Sequence, residues 1–295
     1  DTYFSKRFAD ARLKMYAVLR EARKSSEPTL IAECESALAL FMQREGDVRS
    51  AVAHAKSVLA NANATLEARY RASLALASLH QDAHDHETAY RLYRETHDVV
   101  KDLDDEIAMA SWLQRAALAK AAHARQSAGR GELDKSGVKQ AIADLQQCIE
   151  YAAKVPDGPT TTLDHLLLAE MYVLQKRYKQ ALALYDFHLP QCEGDGFLHE
   201  CTAALADRAS CLLQLGETDA AYAQAVSALR RLDESAPADI RAIVHENMAA
   251  ALEAVQQPAQ ARQHRTMAQA AWDTHGHEQS ETRRVLHENT MTTLH

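Results

Sequence analysis

"HLLLAEMYVLQKRYKQALALYDFHLP", residues 165–190, places apolar residues on one face of each of two short helices and parts them with a polar hinge at Gln175, Lys176 and Arg177. Such a pair cannot bury its own apolar face, so the chain has to supply neighbours that cover it. Within the pair, Ala169 lies midway along the first helix and Ala181 near the start of the second, 12 residues on, with Tyr185 one turn further. The same 12-residue step joins Ala39 to Ala51, Ala77 to Ala89, Ala209 to Ala221 and Ala249 to Ala261.

The second-helix alanines, Ala11, Ala51, Ala89, Ala141, Ala181, Ala221 and Ala261, are separated by 40, 38, 52, 40, 40 and 40 residues. Other features keep the phase. Leu38, Leu76 and Leu168 precede the first-helix alanine, while Met42, Tyr172, Leu212 and Leu252 follow it by three. Hinges recur at Gly46-Asp47, His84-Asp85, Lys176-Arg177 and Gly216-Glu217. A small residue at the closest approach of two antiparallel helices lets the backbones near each other, and larger residues a turn away fill the groove around it.

This pattern resembles the tetratricopeptide repeat family, over nearly the whole chain from Ala11 to Ala271. In that family a small first-helix residue meets an alanine of the second helix, followed by an aromatic and another small residue. Ala169, Ala181 and Tyr185 match, and His188 departs. The period near 40 exceeds the family's 34, as in its extended members, and Arg265 stands where Tyr93 and Tyr185 supply an aromatic. The expected fold is all-α: a right-handed superhelical solenoid of six antiparallel helix pairs with extra terminal helices. Residues 1–275 form the repeat domain and residues 276–295 a capping or connector helix after a break at Gly276.

The 52-residue step carries twelve extra residues. Ser127 to Gly137, "SAGRGELDKSG", accounts for them as a longer turn, or else they extend a first helix, since Ile107 to Gln126 reads as helix throughout. Trp112 on that helix is expected to pack against a neighbour. At the N-terminus Phe4, Phe8, Ala11, Met15, Val18, Leu19 and Ala22 form an amphipathic helix in second-helix phase without a first-helix partner. The start at Asp1, already inside a helical pattern, reads as a cut from a longer chain that holds one more helix upstream. Leu286, Met291 and Leu294 mark the terminal helix at the other end.

Composition agrees with long helices and short turns: 295 residues hold only 9 Gly and 6 Pro. A formal charge of −8 argues against nucleic acid as the main partner, because phosphate binding needs a concentrated basic surface. No apolar run approaches the roughly 20 residues that span a bilayer, so no membrane segment is expected. The five cysteines, Cys34, Cys148, Cys192, Cys201 and Cys211, form no C-x-x-C pair and are read as free residues of helix packing, which suits a reducing cytoplasm.

Few residues point to chemistry. In "HQDAHDH" His80 and His84 lie one helical turn apart with Asp82, Asp85 and His86 nearby, a donor set that zinc would accept, yet the segment occupies a hinge and lacks an identifiable fourth ligand. His275 and His277 flank Gly276 as a polar break, and His287-Glu288 lacks the second histidine of a zincin helix. Glu193 to Gly196 lacks calcium-loop spacing. P-loop, dinucleotide fingerprint and nucleophile elbow are absent, so no enzyme, metal or cofactor is expected.

The resemblance implies instead a groove lined by first helices that binds a protein or peptide. Carried over by register, its lining is Ser36, Gln43, Arg71, Ser78, Glu170, Asp207, Ser210, Glu246 and Asn247. The family's clamp for a C-terminal carboxylate is missing, since Ser36 with Leu40, Leu74 with Ser78, Ala206 with Ser210 and Glu246 with Ala250 replace its lysines and asparagines. Glu170, Asp207, Glu246 and Glu253 make one half acidic, and Arg71, Arg115 and Lys120 mark the other. By analogy with the family, the expected context is the sensory or regulatory region of a bacterial signalling protein such as a diguanylate cyclase, with homodimerisation through the terminal helices as a further expectation. The rival is a sensor whose groove closes around a small ligand or signalling peptide and changes the superhelix pitch.

Overall fold

The structure is a computed structural model that describes residues 2–129, 133–155, 161–194, 197–233 and 235–291. Those residues form helices joined by short turns. A lone helix, α1 (Thr2–Lys24), is followed by α2 (Pro28–Arg44) with α3 (Val48–Ala60), and by α4 (Leu66–Asp82) with α5 (His86–Glu95). A short α6 (His97–Asp102) precedes α7 (Glu106–Gly129), and α8 (Lys135–Ala152) follows. The rest are α9 (Thr162–Leu174) with α10 (Tyr178–Gly194), α11 (Leu198–Gln214) with α12 (Thr218–Arg231), and α13 (Ala238–Ala254) with α14 (Pro258–Met291).

The alanine register is the packing register. Ala39, Ala51, Ala77, Ala89, Ala169, Ala181, Ala209, Ala221 and Ala261 are wholly buried, and Ala249 nearly so. Tyr93 and Tyr185, one turn beyond, are buried beside them. The side chains of Phe4, Phe8, Ala11, Ser127 and Met291, and all of Asp195, Gly196 and Leu294, lie outside the described residues.

Each hinge reverses the chain in one way. Gly46, His84, Lys176, Gly216 and Gln256 take left-handed φ values of 76°, 55°, 60°, 83° and 61°. The following amide then reaches back five residues, from Asp47 to Met42 O, Asp85 to His80 O, Arg177 to Tyr172 O, Glu217 to Leu212 O and Gln257 to Leu252 O, at 2.8–3.0 Å. This is the Schellman closure, which satisfies carbonyls that a helix end would otherwise orphan. Asp47 and Asp85 then start the next helix by accepting from Ser50 N at 3.1 Å and Thr88 N at 3.3 Å.

Of the two readings of the long interval, the extended first helix is the one seen: α7 runs to Gly129, α8 starts at Lys135, and α6 holds further residues of the interval. Two expectations need correction. No break occurs at Gly276, where α14 continues, because one interior glycine costs only about 1 kcal/mol relative to alanine. The cysteines are not all free. Cys192, late in α10, and Cys201, in the first turn of α11, are 9 residues apart, and their Cα atoms approach to 5.9 Å as a disulfide. Cys34, Cys148 and Cys211 are free and buried.

The chain forms two compact units: one of residues 1–119 with 279–295, the other of residues 120–278. In the first, Leu19, Leu38, Met42, Val52 and Leu79 share a core with Leu286 from the end of α14. There Arg283 Nε donates to Ala83 O at 2.7 Å. A second core of this unit gathers Tyr70, Leu74, Tyr93, Val100 and Trp112. Trp112 is packed as expected, its indole donating to Tyr93 O at 2.7 Å and to Thr96 Oγ1 at 3.1 Å. In the second unit Met248, Leu252, Ala209, Ala225 and Ala261 form the core around α11, α13 and α14.

Candidate functional site

First helices pack side by side, α2 against α4 in the first unit and α11 against α9 and α13 in the second. Their polar residues therefore recur on one face of each unit. In the first unit the ladder begins with Arg71 of α4, whose Nε donates to Ser36 Oγ of α2 at 3.1 Å. Its guanidinium also pairs with Glu33 and Glu67. Ser36 is wholly buried, so it helps to hold Arg71 and offers no open groove surface. Gln43 Nε2 donates to Asp82 Oδ2 at 3.0 Å, again bridging α2 and α4. Ser78 is also buried, within 3.2 Å of the Tyr93 hydroxyl, and receives Arg115 at 3.4 Å. Burial raises the Tyr93 hydroxyl above its ordinary pKa. The sequence placed Ser36, Gln43, Arg71 and Ser78 on this face but offered no sign of Glu33 and Glu67, and it marked Asp82 only as a candidate metal donor and Tyr93 only as a repeat aromatic, although these groups hold them.

In the second unit Glu170 of α9 and Ser210 of α11 occupy one register position 40 residues apart, and Asp207 of α11 and Asn247 of α13 occupy another. All four are half-buried. Asn247 Nδ2 donates to Ile243 O at 3.1 Å. Glu246 is exposed, and its Oε1 accepts from Trp272 Nε1 of α14 at 2.7 Å. Beside it, His245 and His264 bring their Nδ1 atoms to 3.0 Å between α13 and α14. Both rings are held below the ordinary histidine value, His245 by burial and then by the charges of His264 and Arg241, His264 by burial. Arg208 of α11 ties Asp186 of α10 at 2.7 Å and Gln224 of α12 at 2.7 Å. Nothing in the repeat register flagged these ties, because their members fall on different faces of the sequence pattern.

The histidine-rich hinge is accounted for by its turn. His80 Nδ1 lies 3.0 Å from Asp85 Oδ2, His84 occupies the left-handed position, and the His84 and His86 rings meet at 4.8 Å between centroids. Among the described residues no three His, Cys, Asp or Glu side chains are grouped to hold a metal ion. No helix of the described residues is long and apolar enough to cross a membrane.

No protein-family model matches the chain. None of the curated proteins matches it either. Solved structures do. A tetratricopeptide repeat protein from Parabacteroides merdae aligns with a TM-score of 0.56 at 15% identity, covering 98% of this chain and 95% of that one. NprR, in complex with its cognate peptide NprX, aligns with a TM-score of 0.61 at 12% identity over 97% of this chain and 81% of NprR. BtubC (BKLC) from P. vanneervenii gives 0.50 at 14% identity over 90% and 91%. The chain has the helical-repeat fold of tetratricopeptide repeat proteins.

Proposed function

We propose that the chain is a non-catalytic scaffold that binds a protein or peptide along the face built by its first helices. The observation that carries this reading is the in-register recurrence of half-exposed polar groups, Glu170 with Ser210 and Asp207 with Asn247, on first helices packed side by side. A surface of this kind binds by summing modest contacts over successive units. The peptide bound by NprR, a structural neighbour, supports the peptide class of ligand. It also favours the second reading, a sensor that closes around a signalling peptide.

In this proposal residues 1–275 are the binding region, and residues 276–295 cap it or connect it to an output domain of a bacterial, cytoplasmic signalling protein such as a diguanylate cyclase. Gln43, Arg71, Glu170, Asp207, Ser210, Glu246 and Asn247 make the contacts, with Ser36 and Ser78 fixing Arg71 and Arg115 from behind.

Paired reversal, Glu170→Lys with Glu246→Lys, is expected to weaken a partner recovered from the native host by about 1–3 kcal/mol, with a smaller loss at high salt. Calorimetry measures the loss, and circular dichroism checks that helical content is kept after Trp272 loses its acceptor. Reversal of Glu87 and Glu95 on α5 is the control. Equal losses from groove and control reversals would refute the proposed face.

A further inference from the structure

In the first unit α4 packs on α2 and α7 packs on α4, and at each contact an arginine of the later helix reaches a buried serine of the earlier one. Arg71 Nε donates to Ser36 Oγ at 3.1 Å, and Arg115 Nη1 donates to Ser78 Oγ at 3.4 Å. The two rungs differ in their acids. Arg71 is met by two carboxylates: Glu33, one turn before Ser36 on α2, and Glu67, one turn before Arg71 on α4. The corresponding places around Arg115 hold Leu74 and Ala75 on α4 and Ser111 on α7. None of these carries a charge. Arg115 is half-buried and forms no ion pair among the described residues.

The groups behind its guanidinium are polar but neutral. Ser78 Oγ lies 3.2 Å from the Tyr93 hydroxyl, which donates in turn to Gln81 Oε1 at 3.3 Å. They fix the arginine without balancing it. Asp82, one turn beyond Ser78, feels its field: desolvation pushes that carboxyl up, and the bond from Gln43 and then the charge of Arg115 offset part of the rise. The bonded partner of Asp82 is nevertheless Gln43, at 3.0 Å. Arg115 thus keeps an open side where Arg71 is closed by two acids.

We propose that Arg115 anchors a carboxylate of the peptide bound along the first-helix face, in the place that Glu33 and Glu67 take at Arg71. The inference rests on the function proposed above and adds a ligand class to it, a peptide that sets an acidic group over α4 and α7. One guanidinium backed by neutral hydroxyls matches a singly charged carboxylate, whose two oxygens accept from its fork, better than a doubly charged phosphate. An Asp or Glu side chain and a peptide C-terminus present the same group.

The probes are two random peptide libraries, one with blocked and one with free C-termini, selected against the full chain. An acidic residue enriched at one position of the blocked library assigns the carboxylate to a side chain. A consensus that needs the free end assigns it to the terminus. Calorimetry then compares a selected peptide with its neutral form, Gln for Glu or amide for acid, which should bind about tenfold or more weaker. Ser111→Glu supplies a carboxylate one turn before Arg115, as Glu67 stands before Arg71. It should weaken the acidic peptide by a similar factor and leave the neutral form unchanged, and so should Arg115→Gln. Circular dichroism confirms that both variants fold.

The proposal is overturned if Ser111→Glu leaves the acidic peptide's affinity unchanged, if it weakens acidic and neutral peptides alike, or if selection yields no acidic consensus. Failure of the wider reading looks different. A host partner that is weakened by reversal of Glu170 and Glu246 but not by Ser111→Glu removes Arg115 as the anchor and leaves the face standing, whereas a chain that selects no peptide at all refutes both.

Discussion

At the scale of single residues, contact size is the strictest requirement. Ala181 and Ala221 are wholly buried where two helices approach most closely, so a larger side chain must push the pair apart. Ala181→Leu and Ala221→Leu are each expected to cost about 1–3 kcal/mol, read from urea midpoints, whereas alanine to serine at exposed helix positions should cost a few tenths. Equal costs would mean the contact register is wrong. Lys176 holds a left-handed φ of 60° that a β-carbon disfavours, so Lys176→Gly should raise stability by about 0.5–1 kcal/mol. The thiols give a third test. Burial pushes Cys148 and Cys211 up to about 12 and also raises Cys34, so none should react quickly with a thiol reagent in the folded protein. Denaturation without reductant should release three thiols, and denaturation with reductant five. The alanine contacts were legible in the sequence because their identity and spacing are set by the same geometry in every pair. The disulfide was not, since Cys192 and Cys201 meet only through the approach of α10 and α11, which no local spacing encodes.

At the scale of elements, hinges were legible by position but their conformation was legible only at glycine. Gly46 and Gly216 announce a left-handed turn, while His84, Lys176 and Gln256 reach it under the pull of packing on both sides. The same override carries α14 through Gly276. Among the groove residues, Ser36 and Ser78 were placed in the correct helices but on the wrong side of the solvent boundary, because the bulk of Arg71 and Tyr93 covers them. The contact of α13 with α14 makes a pH-dependent prediction. His245 and His264 have folded pKa values below the unfolded value of about 6.5. Falling pH therefore protonates the unfolded state first. Their contribution to stability is complete above about pH 6.5 and is lost as pH falls from there through the lower folded values. Melting temperature should decline from pH 7.5 to 5.5, and His264→Gln should flatten that decline. A steeper decline in the variant would contradict the assignment.

At the scale of the whole molecule, Leu286 shows how one unit is completed from distant sequence. It is 6% exposed in a core with Leu19, Leu38 and Leu79. Leu286→Ala should cost about 2–4 kcal/mol, and hydrogen exchange should show lost protection at Leu79 and Ala83 with little change around Ala209 and Ala225. Uniform loss throughout the chain would indicate that the units do not open separately. The repeat register alone could not foresee this contact, because neighbouring repeats explain only short-range stacking.

The bond from Arg283 to Ala83, made across 200 residues, also orders events during synthesis. Helix pairs can form as each leaves the ribosome, at about 5–20 residues per second. The carbonyl at the second hinge nevertheless waits some ten to forty seconds for its arginine. During that interval the surface around Ala83 and Leu79 is unsheltered. A nascent chain stalled before Arg283 should therefore be cut by protease near the second hinge, and release of the stall should close the site.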